Sequence, residues 1–202
     1  AMSVAESCEE WESSISHGSS NKGQSKECES NNQTQDSIRC SLQNSVPNGC
    51  LTNNTSYAVV SKENLTITVF DCYGDEIACY PVAVGKGLGN KKQKGDRRTP
   101  EGTFSVVDIQ DASSWCHDFG DGKGLIKGAY GPCFIRLLTP GHTGIGIHGT
   151  HDPASIGTRV TEGFIRLRNE DVSRLRKQLS IGSVVIITPS KEDEIANCKD
   201  SK

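Results

Sequence analysis

Between Gly144 and Asn169 the chain gathers side chains able to do chemistry: His148 in Ile147-His148-Gly149-Thr150, then Glu162 and Arg166 in Thr161-Glu162-Gly163-Phe164-Ile165-Arg166. A histidine can act as a base, a carboxylate can activate water, and a fixed guanidinium suits a carboxylate ligand. The stretch contains no cysteine to act as a thiolate nucleophile, and Phe164 has neither a lone pair nor an acidic proton. Elsewhere only Cys133 could substitute, and a cysteine inside an apolar strand is usually inert or disulfide-bonded. A structural reading stands beside each of these: a histidine at a strand end is often only hydrogen-bonded, and Arg166 could be tied to an internal carbonyl or acid.

The same residues resemble the signature of the L,D-transpeptidase catalytic domain, the YkuD-like family of bacterial cell-wall enzymes. There a histidine in an Ile-His-Gly-Thr run is followed by a Ser-His-Gly-Cys-Ile-Arg block. The resemblance covers roughly residues 57 to 189, and includes the Tyr80-Pro81-Val82 strand end and the Thr99-Pro100-Glu101-Gly102-Thr103-Phe104 turn. It places Glu162 where the family has its base histidine and Phe164 where it has its nucleophilic cysteine, with Thr161 and Gly163 as the flanking motif positions. It also implies that His148, Gly149, Thr150 and Arg166 line a groove for peptidoglycan stem peptides, and it calls for neither metal nor other cofactor.

Losing nucleophile and base together points to abandoned chemistry, since a carboxylate near a thiol would in any case raise the thiol's pKa. The resemblance therefore implies a cell-envelope pseudoenzyme that binds stem peptides or a cell-wall protein without turnover. Two other readings compete. One is an active transpeptidase or amide hydrolase using Cys133 or a Glu162-activated water, and the other is a structural envelope module whose function lies near the N-terminus.

Composition divides the chain. Residues 1–56 are rich in Ser, Asn, Gln and Glu, carry seven acids against three bases, and show no apolar periodicity. They are expected to be disordered or stapled by disulfides. The remainder is close to neutral, so no basic face suggests nucleic acid or an electrostatic membrane anchor, and no transmembrane run occurs. No signal peptide is visible, yet nine cysteines among 202 residues suit an exported, periplasmic or envelope protein. No Cys-x-x-Cys pair supports zinc, and Asp118-Phe119-Gly120-Asp121-Gly122-Lys123-Gly124 lacks the spacing of a calcium loop.

The elements that must position the motif are mostly β. Tyr57–Lys62, Leu65–Phe70, Ile77–Val84, Phe104–Ile109, Pro132–Leu138, Gly144–Thr150 and Ser183–Thr188 read as strands. The hairpin turning at Tyr73–Glu76 puts Cys72 and Cys79 on one face, with a bridge possible only if the register sets them opposite. Gly85–Phe104 lacks the Gly-Lys-Ser/Thr ending of a phosphate loop and reads either as a solvated loop with a proline turn or as a basic rim for stem-peptide carboxylates. Residues 110–131 read as a loop anchored by Trp115. Asn169 is placed to cap one main helix near 169–180, with Val172, Leu175 and Leu179 on its buried face. In all, nine or ten short strands and one helix make a mostly β domain, matching the β-sandwich that the resemblance implies, with 190–202 as a charged tail.

Overall fold

The computed structural model describes residues 56–119, 122 and 124–201. The expectations for residues 1–56 lie almost wholly outside the described residues, and those for Gly120, Asp121 and Lys123 entirely so. The mostly β expectation is borne out. The strands form one eight-stranded curled sheet and two small two-stranded sheets.

Inside the sheet, β1 (Tyr57–Ser61) runs parallel to β12 (Val184–Thr188) and antiparallel to β2 (Thr66–Phe70). Ala58, Val59 and Val60 are consecutive and all buried. Such a continuous apolar run is what a strand covered on both faces requires. The sheet continues through β5 (Gly102–Asp111), β8 (Cys133–Leu138) and β9 (Gly146–His148) to β11 (Ile165–Arg166). Its other edge is β3 (Glu76–Pro81), and β4 (Val84–Gly85) pairs in parallel with β10 (Arg159–Thr161). The core gathers Ile67, Val69, Val82, Ile135, Ile147, Leu167, Val185 and Ile187.

Helix α1 (Asn169–Gln178) packs on β8 and β9 through Val172 and Leu175, and Leu179 is buried just past its end, as their spacing predicts. Asn169 does not cap it. The N-cap is Arg168, without a side-chain cap, and the Asn169 carboxamide oxygen instead accepts the Thr150 amide at 2.8 Å. Capping gives way to tying the motif strand to the helix.

Three further differences are physical rather than incidental. Cys79 pairs with Thr68 across the hairpin, while Cys72 falls in the turn beyond β2, so the two cysteines do not face each other in register. The 110–131 segment is not all loop, since β6 (Cys116–Asp118) and β7 (Leu125–Lys127) form a hairpin over the site. The charged stretch after Ser190 is not a tail but a second helix, α2 (Lys191–Asp200). Its start is a capping box, with the Ser190 hydroxyl accepting the Asp193 amide and the Asp193 carboxylate accepting the Ser190 amide. Among the described residues no helix is long and apolar enough to cross a membrane.

Candidate functional site

Strand pairing brings the two halves of the motif together. β9 and β11 run parallel with His148 opposite Arg166, and the Leu167 amide donates to the His148 carbonyl at 2.8 Å. Arg166 is held from its other side by Ala83, through reciprocal backbone hydrogen bonds of 2.8 and 2.9 Å. The turn between β10 and β11 is closed by Thr161, whose hydroxyl donates to the Phe164 carbonyl at 2.6 Å and accepts the Gly163 amide at 3.2 Å. Only glycine fits position 163. Its φ is 123°, and a Cβ there would lie 2.7 Å from the Arg98 carbonyl oxygen.

His148 is 2% exposed, and its Nδ1 lies 2.6 Å from the Gly149 carbonyl oxygen. A carbonyl can only accept, so Nδ1 carries the proton and Nε2 presents a lone pair. That Nε2 is buried and without a hydrogen-bond partner. Burial pushes the imidazole down to about 3; the Gly149 hydrogen bond opposes this, and neighbouring Arg166 adds to it. His148 is therefore neutral at any physiological pH.

Around it stands an aromatic cluster. The Phe134 ring stacks on His148 at 5.8 Å, while Tyr130 and Phe164 meet it edge-on at 5.0 and 5.3 Å. Trp115 extends the cluster through Tyr130 and Phe134. The Phe164 side chain thus belongs to an apolar wall built around the histidine.

Glu162 points outward and meets His117 of β6, Nε2 to Oε2 at 3.4 Å. Phe119, just past the same strand, lies 5.8 Å from the Arg166 guanidinium carbon and 5.2 Å from the His151 ring. Arg166 is 7% exposed and donates to the Ser155 hydroxyl at 3.1 Å, leaving its Nε unpartnered. Burial lowers its pKa, and Asp152 and Glu162 partly offset the effect. The internal partner expected for Arg166 is thus a hydroxyl, not an acid. Burial, with Glu162 adding, pushes Tyr130 up to about 12.

The remaining predicted residues divide. Thr150 is buried, its amide bound to Asn169 and its hydroxyl accepting the Asp152 amide at 2.9 Å, so its polar groups serve the strand end. Gly149 supplies the carbonyl that orients His148 and packs against Gly131, where no Cβ fits. Cys133 has a free thiol, is 1% exposed, and is pushed up by burial. It adjoins Phe134, whose ring faces His148, and successive strand residues point to opposite faces, so the thiol faces the core. It cannot replace a nucleophile at the site.

Sequence reasoning missed His117, Tyr130 and Phe134 as site residues. They come from the inserted hairpin, the loop behind it and β8, and no motif spacing links them to His148. Among the described residues no group of three or more His, Cys, Asp or Glu could hold a metal.

Comparison with known proteins gives the geometry a context. The family model for the L,D-transpeptidase catalytic domain, YkuD, matches residues 55–187. The YkuD protein of Bacillus licheniformis, an L,D-transpeptidase candidate, is 34% identical over 113 residues, covering 56% of this chain and 54% of that protein. Its Bacillus subtilis counterpart is 33% identical over 108 residues, covering 54% and 51%. This chain thus spans about half the length of the curated relatives it matches. In fold it is similar to an L,D-transpeptidase from Mycobacterium smegmatis, with TM-score 0.52 at 21% identity, covering 67% of this chain and 59% of that one.

Proposed function

Because the chain belongs to the L,D-transpeptidase catalytic domain family, we propose that it is an exported cell-envelope protein that binds peptidoglycan stem peptides without reacting with them. The observation that carries this reading is the Phe164 ring, edge-on to His148 at 5.3 Å in the position of the nucleophile. Acyl transfer requires an atom that can form and release a bond to the carbonyl carbon, and a phenyl ring has none. Glu162, in the base position, is engaged by His117 and carries a charge that would oppose thiolate formation. One amide of the motif turn, that of Gly163, is already spent on Thr161, which leaves less to stabilise an oxyanion.

What favours a retained ligand is that, of the three buried side-chain polar atoms without a hydrogen-bond partner among the described residues, two lie in this site and the third is Arg159 Nε. His148 Nε2 offers a buried acceptor and Arg166 Nε a buried donor, side by side on adjacent strands. Unpartnered buried polar atoms are costly, and a ligand carrying an N–H and a carboxylate would satisfy both. A stem peptide carries both groups. Aromatic rings on the wall supply apolar area around them.

The reading predicts that purified muropeptides with tetrapeptide stems are retained by the protein. Replacing Arg166 by Met is expected to weaken retention roughly tenfold or more, the cost of leaving a ligand carboxylate without its charged donor. Retention checked by equilibrium dialysis that is equal for both proteins, or absent from the parent, contradicts it. Catalysis by Cys133 has no support in its placement, since the thiol faces away from His148.

A further inference from the structure

A buried polar cluster outside the site lies beneath α2 and centres on Asp193, which is 0% exposed. Its carboxylate accepts the Gly89 amide at 2.7 Å, the Ser190 amide at 2.9 Å and the Ser190 hydroxyl at 2.7 Å. It also pairs with Lys62 at 3.1 Å and with Arg159 at 2.6 Å. Lys62 is itself fully buried and bound to Glu101 at 2.6 Å. Asn197 of α2 completes the cluster, donating to Glu101 at 2.8 Å and accepting the Asn90 amide at 2.6 Å.

Each arm of the cluster reaches an element that touches the motif turn. Arg159 opens β10 and stands two residues before Thr161. Gly89, Asn90 and Glu101 belong to the 86–101 segment. From that segment Lys86 donates its amide to the Thr161 carbonyl at 3.0 Å, and the Arg98 carbonyl backs Gly163 closely enough to exclude a Cβ. The turn carrying Glu162 and Phe164 is therefore held on two sides, and both supports end at one carboxylate. Buried ion pairs contribute little net stability compared with well-packed apolar side chains, so their distinctive product is a fixed geometry.

We infer that Asp193 is a positioning residue for the site. Through Arg159 and the 86–101 segment it sets where the 161–164 turn stands against His148. The inference concerns the same site as the proposed binding function, but it is a statement about geometry and can be tested without a ligand.

The test is amide hydrogen exchange on the full chain carrying Arg159→Met, which cuts the arm to β10 and leaves Asp193 with Lys62, Gly89 and Ser190. Exchange at Gly163 and Phe164 is expected to accelerate roughly tenfold or more, while Ile135 of β8 and Ile187 of β12 change less than about twofold, because local opening is uncoupled from global unfolding. Arg159→Lys retains the charge and is expected to fall between the two; it carries the same criterion should the methionine variant not fold. Uniform acceleration across the sheet, or none at the turn, would overturn the inference. Muropeptide retention by the same variant adds a second readout. Where the parent retains none, the binding proposal fails while the exchange data still decide the role of Asp193.

Discussion

Phe164 meets three rings at once, His148 at 5.3 Å, Phe134 at 6.0 Å and Tyr130 at 6.1 Å, so its side chain has a packing role. The histidine behind it is kept neutral by that burial, and this has a pH consequence with a definite sign. In the unfolded chain the imidazole takes up a proton near 6.5, whereas in the folded protein it does so only at about 3. The unfolded state binds the extra proton between those values, so stability falls as pH drops from about 6.5 towards 3 and gains nothing from this group above that window. Replacing His148 by Gln is expected to remove this limb from a plot of denaturation midpoint against pH; an unchanged slope between pH 6 and 4 would contradict the buried neutral histidine. A further acid limb belongs to Asp193. Burial alone would raise its carboxyl, but hydrogen bonds from Ser190 and Gly89 and the charge of Lys62 hold it well below the ordinary value of 3.8. Its contribution is complete above that value and is lost as pH falls below it. At this scale the motif made His148 and Arg166 legible as neighbours. His117 was not, because its contact with Glu162 joins residues 45 apart through an insertion whose path no local pattern encodes.

Among the elements, α1 and α2 are both ten residues long, yet only the first announced itself. Val172, Leu175 and Leu179 repeat at helical spacing and are buried, whereas α2 is charged on nearly every turn and anchors itself through one buried acid. Periodicity detects an apolar stripe, and α2 has none to detect. Its signal was the Ser190-x-x-Asp193 pattern, a weaker cue that the charge run obscured. The capping box is therefore where α2 is most sensitive. Ser190→Ala is expected to cost about 1 kcal/mol, measured by urea denaturation, because it removes the acceptor for the Asp193 amide and a donor to the Asp193 carboxylate. A change within error of zero would mean that the ion pairs alone hold the helix. Strand assignments were more legible, since β1, β2, β8 and β12 follow their apolar runs closely. The β6–β7 hairpin was not, being short, polar and rich in glycine nearby.

Over the whole molecule, the sheet order puts the two motif strands at one edge, and the hairpin and the 86–101 segment meet the turn before β11 through His117 and Lys86, with α2 joined to β10 through Asp193 and Arg159. The fold could be read although Glu162 and Phe164 depart from the motif that the sequence resembles. The glycines, His148, Arg166 and the strand pattern specify the framework, and none of them depends on the nucleophile. The same departure explains why activity could not be carried over with the fold. On the proposed reading this framework binds without turnover. The most direct measurement incubates the full chain with purified tetrapeptide muropeptides, donor and acceptor together, and follows their masses over time. The account predicts that every muropeptide is recovered unchanged, bound or free; cross-linked dimers or shortened stems that accumulate in proportion to protein would contradict it.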